Sequence, residues 1–268
     1  MKRARTAARC AVILAIITCL LLTGCREQTP APETDPLPVL KIGSDEYAPY
    51  FFIDEDGTYA GIDVELAIEA CRRIGYTAEL HRINWQTKDT SLKNGEIDCL
   101  WGSFSMSGRE DRYIWAGPYM TSRQVVAVRS DSTIESLADL ADKRIGVQAS
   151  AKPDELFSDT PNGNIPKIRY LYCFSTINNV FAALRKGYVD AIAGHETAFR
   201  EFMKLTPDSY RILEEPLLEV NLGVAFLLGS DGELAEKLTA ALHEMQEDGF
   251  TAAVLMRYGL DPERANTK

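Results

Sequence analysis

Two stretches of the chain, Leu92-Lys93-Asn94-Gly95-Glu96-Ile97-Asp98 and Leu184-Arg185-Lys186-Gly187-Tyr188-Val189-Asp190, carry the same punctuation. In each, a helical pattern stops at a glycine and an apolar β-type run begins at once, as where a helix feeds the next strand of an α/β sheet. Outward from the first stretch lie β-type runs at residues 39–43, 77–83 and 97–101, with helical periodicity after Asp63 and before Gly95. Asp63 reads as an N-cap and Gly75 as the residue just past the helix end. Around the second stretch the alternation returns: strands at 144–147, 167–172 and 190–193, helices near Asp154 and at 178–186. A run at 211–215 and an apolar strand at 221–228 then lead into helices at 233–248 and 251–258. The first of these places Leu234, Leu238, Leu242 and Met245 on one face. Strand-helix alternation of this kind predicts an α/β fold with largely parallel sheets.

The ends of the chain speak to location. Lys2, Arg3, Arg5 and Arg9 precede an apolar run at 11–22 and then Leu22-Thr23-Gly24-Cys25. A basic start, a short apolar core and small residues at a cut site make an export signal, residues 1–24, too short to span a bilayer as a mature helix. Residues 25–37, with Pro30, Pro32 and Pro36 and almost nothing apolar, read as an extended tether; with Pro38 the stretch reaches about 40 Å at ~3.1 Å per residue. The following body of about 230 residues is long enough for one large core or two small ones.

Removing the signal takes four of the 29 Lys and Arg and none of the 39 Asp and Glu, leaving a strongly acidic chain. That balance argues against nucleic acid, whose phosphates need basic partners, and against a broad face for anionic lipid. Cys71, Cys99 and Cys173 are an odd, sparse set for an exported protein, and the first two sit on apolar faces, so buried thiols are expected in preference to a disulfide framework. No HExxH, GxSxG or P-loop occurs, so no catalytic residue, metal site or cofactor is expected.

Five further segments join this pattern. The first is Asp45-Glu46-Tyr47-Ala48-Pro49-Tyr50, and the second places Trp85 seven residues before Leu92. The third is Ser103-Phe104-Ser105-Met106-Ser107-Gly108-Arg109; the last are Gly146-Val147-Gln148-Ala149-Ser150 and Asp190-Ala191-Ile192-Ala193-Gly194-His195-Glu196. Over residues 41–259 the ordered set resembles the extracellular solute-binding proteins that serve polar amino-acid ABC importers, and Leu-Thr-Gly-Cys resembles the lipobox in which the cysteine, here Cys25, is lipidated.

The resemblance implies a two-lobed periplasmic-binding-protein fold of type II, each lobe a doubly wound, mostly parallel sheet. Lobe one would take residues 38–123 plus 218–262 and lobe two 124–217, with hinge crossings near 122–126 and 214–219 and a tail at 263–268. It implies that Tyr47 and Trp85 offer aromatic faces to the ligand beside Asp45. Arg109 would fork onto the ligand's α-carboxylate with help from Ser103 and Ser105, and Gln148 and Ser150 would meet it from the other lobe. The loop before Arg109 is one residue shorter than the commoner family form, and Ser103 stands where the family has glycine. For the α-ammonium, strict spacing selects His195 and a one-residue insertion selects Glu196; the charge favours Glu196. The implied function is a monomeric, lipid-anchored, extracytoplasmic protein that binds a free amino acid and hands it to an ABC permease with its ATPase subunits. The rivals on this fold are a ligand-sensing module for a membrane receptor and a dehydratase-like enzyme.

Overall fold

A computed structural model describes residues 36–158, 165–230 and 232–267. The expected export signal, Cys25 and nearly all of the tether lie outside the described residues. In chain order the strands are β1 (Val39–Ser44), β2 (Phe52–Ile53), β3 (Tyr59–Ala60), β4 (Thr77–Arg82), β5 (Cys99–Leu100), β6 (Tyr113–Arg129), β7 (Arg144–Gln148), β8 (Tyr170–Phe174), β9 (Ala191–His195), β10 (Tyr210–Ile212) and β11 (Leu218–Leu227). The α-helices are α1 (Ile62–Arg73), α2 (Lys88–Lys93), α3 (Lys152–Ser158), α4 (Ile177–Arg185), α5 (Glu196–Met203), α6 (Glu233–Glu247) and α7 (Phe250–Arg257).

The two halves repeat one arrangement. In the first, β1 lies between β4 and β5, all parallel; in the second, β7 lies between β8 and β9, again all parallel. The long antiparallel strands β11 and β6 join them, giving the order β4-β1-β5-β11-β6-β9-β7-β8. Each half is thus a mostly parallel sheet, and at strand level the two form one continuous ladder. Strand β6 changes partner at Gln124, which pairs with Leu218 of β11 on one side and His195 of β9 on the other. The chain returns by way of residues 213–217, where the N–H groups of Leu213 and Leu217 donate to Val126 and Gln124.

The repeated punctuation has a physical content. Gly95 and Gly187 sit at φ 69° and 71°, conformations that cost a side chain strain. The residue after each closes the helix end: Glu96 N–H donates to Ser91 O at 3.0 Å, and Tyr188 N–H to Ala183 O at 2.9 Å. Asp98 then accepts from the backbone N–H of Lys41 at 2.7 Å, and Asp190 from that of Arg144 at 2.8 Å. In both halves one carboxylate ties the entry of the third parallel strand to the central one.

Asp63 does not act as the N-cap expected of it. It lies inside α1, whose N-cap is Gly61, and its carboxylate is buried against another part of the fold. Both sheet faces are covered. Trp85, Leu92, Ile97 and Phe104 pack on one side of the first half, Ile134, Leu137, Leu140 and Phe157 on one side of the second, and the largest cluster runs between them. Cys71 and Cys99 are buried and unbridged, and Cys173 is exposed. No helix among the described residues is long and apolar enough to cross a membrane.

Candidate functional site

In open α/β sheets, ligands meet the carboxyl ends of the strands. Here those ends converge from both halves on one cleft. Asp45 and Tyr47 follow β1, Trp85 follows β4, Ser103, Ser105 and Arg109 follow β5, Gln148 ends β7 and His195 ends β9; all eight line it. The cleft is narrow, with a cavity of about 30 Å³.

The loop after β5 is held from below. Asp63 accepts the N–H of Ser103 at 2.6 Å and the hydroxyl of Tyr119 at 2.9 Å, and burial pushes its carboxyl up to about 7. This bond fixes Ser103 in a left-handed turn at φ 45°. Ser105 follows, bridged to Leu222 of β11.

Arg109 is 1% exposed. Its Nη1 donates to the Ser105 carbonyl at 3.2 Å, its Nε donates to Glu155 Oε1 at 2.9 Å, and its guanidinium carbon lies 4.8 Å above the Phe104 ring. Nη2 is ion-paired with that same Glu155 oxygen at 2.9 Å, without the alignment of a hydrogen bond. Ser105 Oγ and Gln124 Oε1, both on the cleft wall, are likewise buried without a partner.

Across the cleft, Gln148 Nε2 donates to Asp45 at 2.5 Å, and Tyr47 accepts the His195 N–H at 3.3 Å. Burial pushes the Asp45 carboxyl up to about 6 against the Gln148 hydrogen bond. Burial drives His195 down to about 3, so its ring is neutral. That ring contacts Ser122 and Gln124 at 2.9 Å each.

Two expected residues are not on the cleft. Ser150 forms the turn into α3 at φ 61°, its N–H spent on Asp154 at 2.8 Å. Glu196 is corrected more fundamentally. It is 3% exposed but points away from the cleft into three guanidiniums: Arg200 at 2.7 Å, Arg264 at 2.9 Å and Arg123 at 3.7 Å. Burial alone would raise its carboxyl, but the hydrogen bonds from Arg264 and Arg200 outweigh it and hold it below the usual range. The residue that faces the cleft at this strand end is His195. Glu196→Gln is therefore expected to lower stability by about 1–2 kcal/mol, the buried-pair cost discounted because the arginines are partly solvated. Ligand affinity should stay at its wild-type level; calorimetric titration beside a denaturant melt separates the two.

The sequence reading missed Gln124, Lys88, Lys152 and Glu155. A signal for Lys88 was present, since it lies four residues before Leu92 on the buried stripe of α2. Gln124, between Arg123 and four consecutive apolar residues of β6, carried no pattern that marks a site.

The family described as bacterial extracellular solute-binding proteins, family 3, matches residues 40–261. The L-cystine-binding protein TcyJ of Escherichia coli K12 is 26% identical over 211 residues, 78% of this chain and 77% of that protein. The histidine-binding periplasmic protein of the same strain is 29% identical over 232 residues, 82% of this chain and 86% of that one. Among solved structures, an ancestral arginine-binding protein bound to arginine superposes with a TM-score of 0.74 at 25% identity, covering 83% of this chain and 99% of that one. With a family match across nearly the whole described body and the same two-lobed fold in its structural neighbours, this chain belongs to the bacterial extracellular solute-binding proteins, family 3.

Proposed function

We propose that this chain is the substrate-binding component of an amino-acid ABC importer: it captures a free amino acid between its lobes and delivers it to a membrane permease driven by partner ATPase subunits. The observation that carries this reading is the pair of buried polar atoms with no hydrogen bond on one narrow cleft, Ser105 Oγ and Gln124 Oε1, beside the Arg109 guanidinium, whose Nη2 is ion-paired with Glu155 but makes no hydrogen bond. An unpaired buried polar group costs about 1–3 kcal/mol, and a ligand that satisfies it recovers that cost. The donors of Arg109 and Ser105 suit a carboxylate; Gln124 Oε1 and the Asp45 carboxylate suit an amino group.

The ligand touches both halves, so its contacts favour the closed arrangement, and closure is what a permease reads. The cleft is a binding site and not a catalytic one in this reading, because a neutral His195 held near pKa 3 is a poor acid or base at neutral pH. A lipid on Cys25 would hold the protein at the outer face of the cell membrane, with the tether keeping the body clear of the headgroups.

A thermal-shift screen over free L-amino acids tests the reading. Ligand at a hundred times its dissociation constant adds ~2.7 kcal/mol of stability, which for a chain of this size raises the melting temperature by about 5–10 °C. A screen in which no amino acid moves the melt would overturn the ligand class.

A further inference from the structure

Lys88 is 4% exposed, an unusual burial for a lysine. Its Nζ lies 5.3 Å from the centre of the Trp85 ring and 5.8 Å from that of Phe104, two aromatics that line the cleft in an edge-to-face pair. Phe104 also carries the Arg109 guanidinium. A cation over an aromatic face is held by the ring's quadrupole, and a face so engaged is poorly placed to receive a second cation. The Lys88 ammonium further reaches the Ser150 carbonyl of the opposite half at 3.5 Å.

The carboxylates point the same way. Glu155 is bound by Arg109, Arg112 and Lys152, and Glu196 is turned into its arginine cage. Among the described residues of the cleft wall, Asp45, which also accepts from Gln148, is then the one acidic group left for a ligand, and the amino group takes it. Lys88, Arg109 and Lys152 bring three positive charges to the same region. Among the described residues, a cationic side chain would find no free carboxylate, and the Trp85 and Phe104 faces are already engaged by Lys88. Tyr47, the remaining aromatic, meets neutral His195 edge-on at 6.0 Å.

We propose that Lys88 is a specificity-determining residue: by seating its own ammonium on Trp85 and Phe104 it closes the cleft to arginine and lysine and leaves it for amino acids with neutral or acidic side chains. The inference rests on the amino-acid reading above and adds the side-chain class.

The test is calorimetric titration of the purified chain with the twenty common L-amino acids and L-cystine, on wild type, Lys88→Met and Lys88→Arg. In wild type the best ligand is neutral or acidic, and arginine and lysine bind at least about a hundredfold more weakly, the scale of losing two cation-π contacts and a charge partner. Lys88→Met frees the rings and narrows the arginine disadvantage by about tenfold or more, while Lys88→Arg, which keeps a cation there, retains the rejection. If the Met variant fails to fold, as a melt would reveal, Lys88→Gln replaces it. Wild type that takes arginine or lysine as its best ligand overturns this inference and leaves the amino-acid reading standing, as does an unchanged arginine disadvantage in the variants without the cation. If no amino acid binds at all, the amino-acid reading fails and this inference falls with it.

Discussion

Arg109→Lys lowers affinity for the bound amino acid by about a hundredfold or more, a loss of roughly 3 kcal/mol. The guanidinium is fixed before the ligand arrives. Phe104 lies under its plane, Ser105 O takes one Nη1 proton, and Glu155 takes the Nε proton, leaving Nη2 aimed without an aligned partner in a setting that is 1% exposed. Arginine can serve the protein and the ligand together because five N–H donors radiate from one rigid plane. Lysine has three donors on a flexible stem, cannot stack its head flat on Phe104, and must abandon either Glu155 or the ligand. Titration calorimetry reads the affinity, and a melt in the absence of ligand reports whether the fold survived. Unchanged affinity in the variant would remove Arg109 from the site.

The parts of this fold that were legible in the sequence are those encoded locally. Helix ends at Gly95 and Gly187 and the alternation between periods of 2 and 3.6 depend on neighbours a few residues away. Because strand ends meet at one cleft, residues such as Asp45, Ser105 and Gln148 could be placed near each other once the strands were placed. The choice between His195 and Glu196 was of another kind, since adjacent residues at a strand-to-helix junction point in different directions. Charge favoured Glu196, yet a glutamate in the first turn of a helix also suits the helix dipole and a partner one turn on. Arg200, four residues along, is that partner, and it was visible in the sequence.

What was not legible depends on contacts between distant segments. Asp63 holds Ser103 and Tyr119, 40 and 56 residues away. Glu155 reaches Arg109 because α3 faces the loop after β5 across the gap between halves, and no local pattern in residues 152–158 says so. Lys88 could be recognised as a buried lysine from its helical spacing, but its two aromatic neighbours come from different loops.

Gly61→Ala is expected to destabilise the protein by about 3 kcal/mol or more, a fall in melting temperature of roughly 6–12 °C. Gly61 has φ 131°, a conformation that side chains rarely adopt. An added methyl would sit inside van der Waals contact of the Tyr50 carbonyl and 2.9 Å from the Pro49 oxygen. Those two carbonyls cannot simply retreat. Pro49 O accepts the N–H of Ile62 and Tyr50 O that of Asp63, each at 3.0 Å, so they satisfy the first donors of α1 in place of a side-chain cap. Moving them unpairs buried donors; keeping them forces the clash. The same turn is tied to Tyr47, whose N–H donates to Phe51 O at 2.7 Å and whose carbonyl accepts from Tyr50 at 2.9 Å. Since Tyr47 forms one wall of the cleft and α1 carries the Asp63 that holds Ser103, whatever relieves the clash also disturbs two walls of the site. The variant should therefore lose ligand affinity as well as stability, whereas Gly57→Ala, at a position with no atom within 4 Å of the added methyl, should keep wild-type affinity and show only the backbone cost of its own positive φ. Equal melting temperatures for the two variants would show that the Pro49 and Tyr50 carbonyls yield freely, and that the cap on α1 is not what fixes this corner of the cleft.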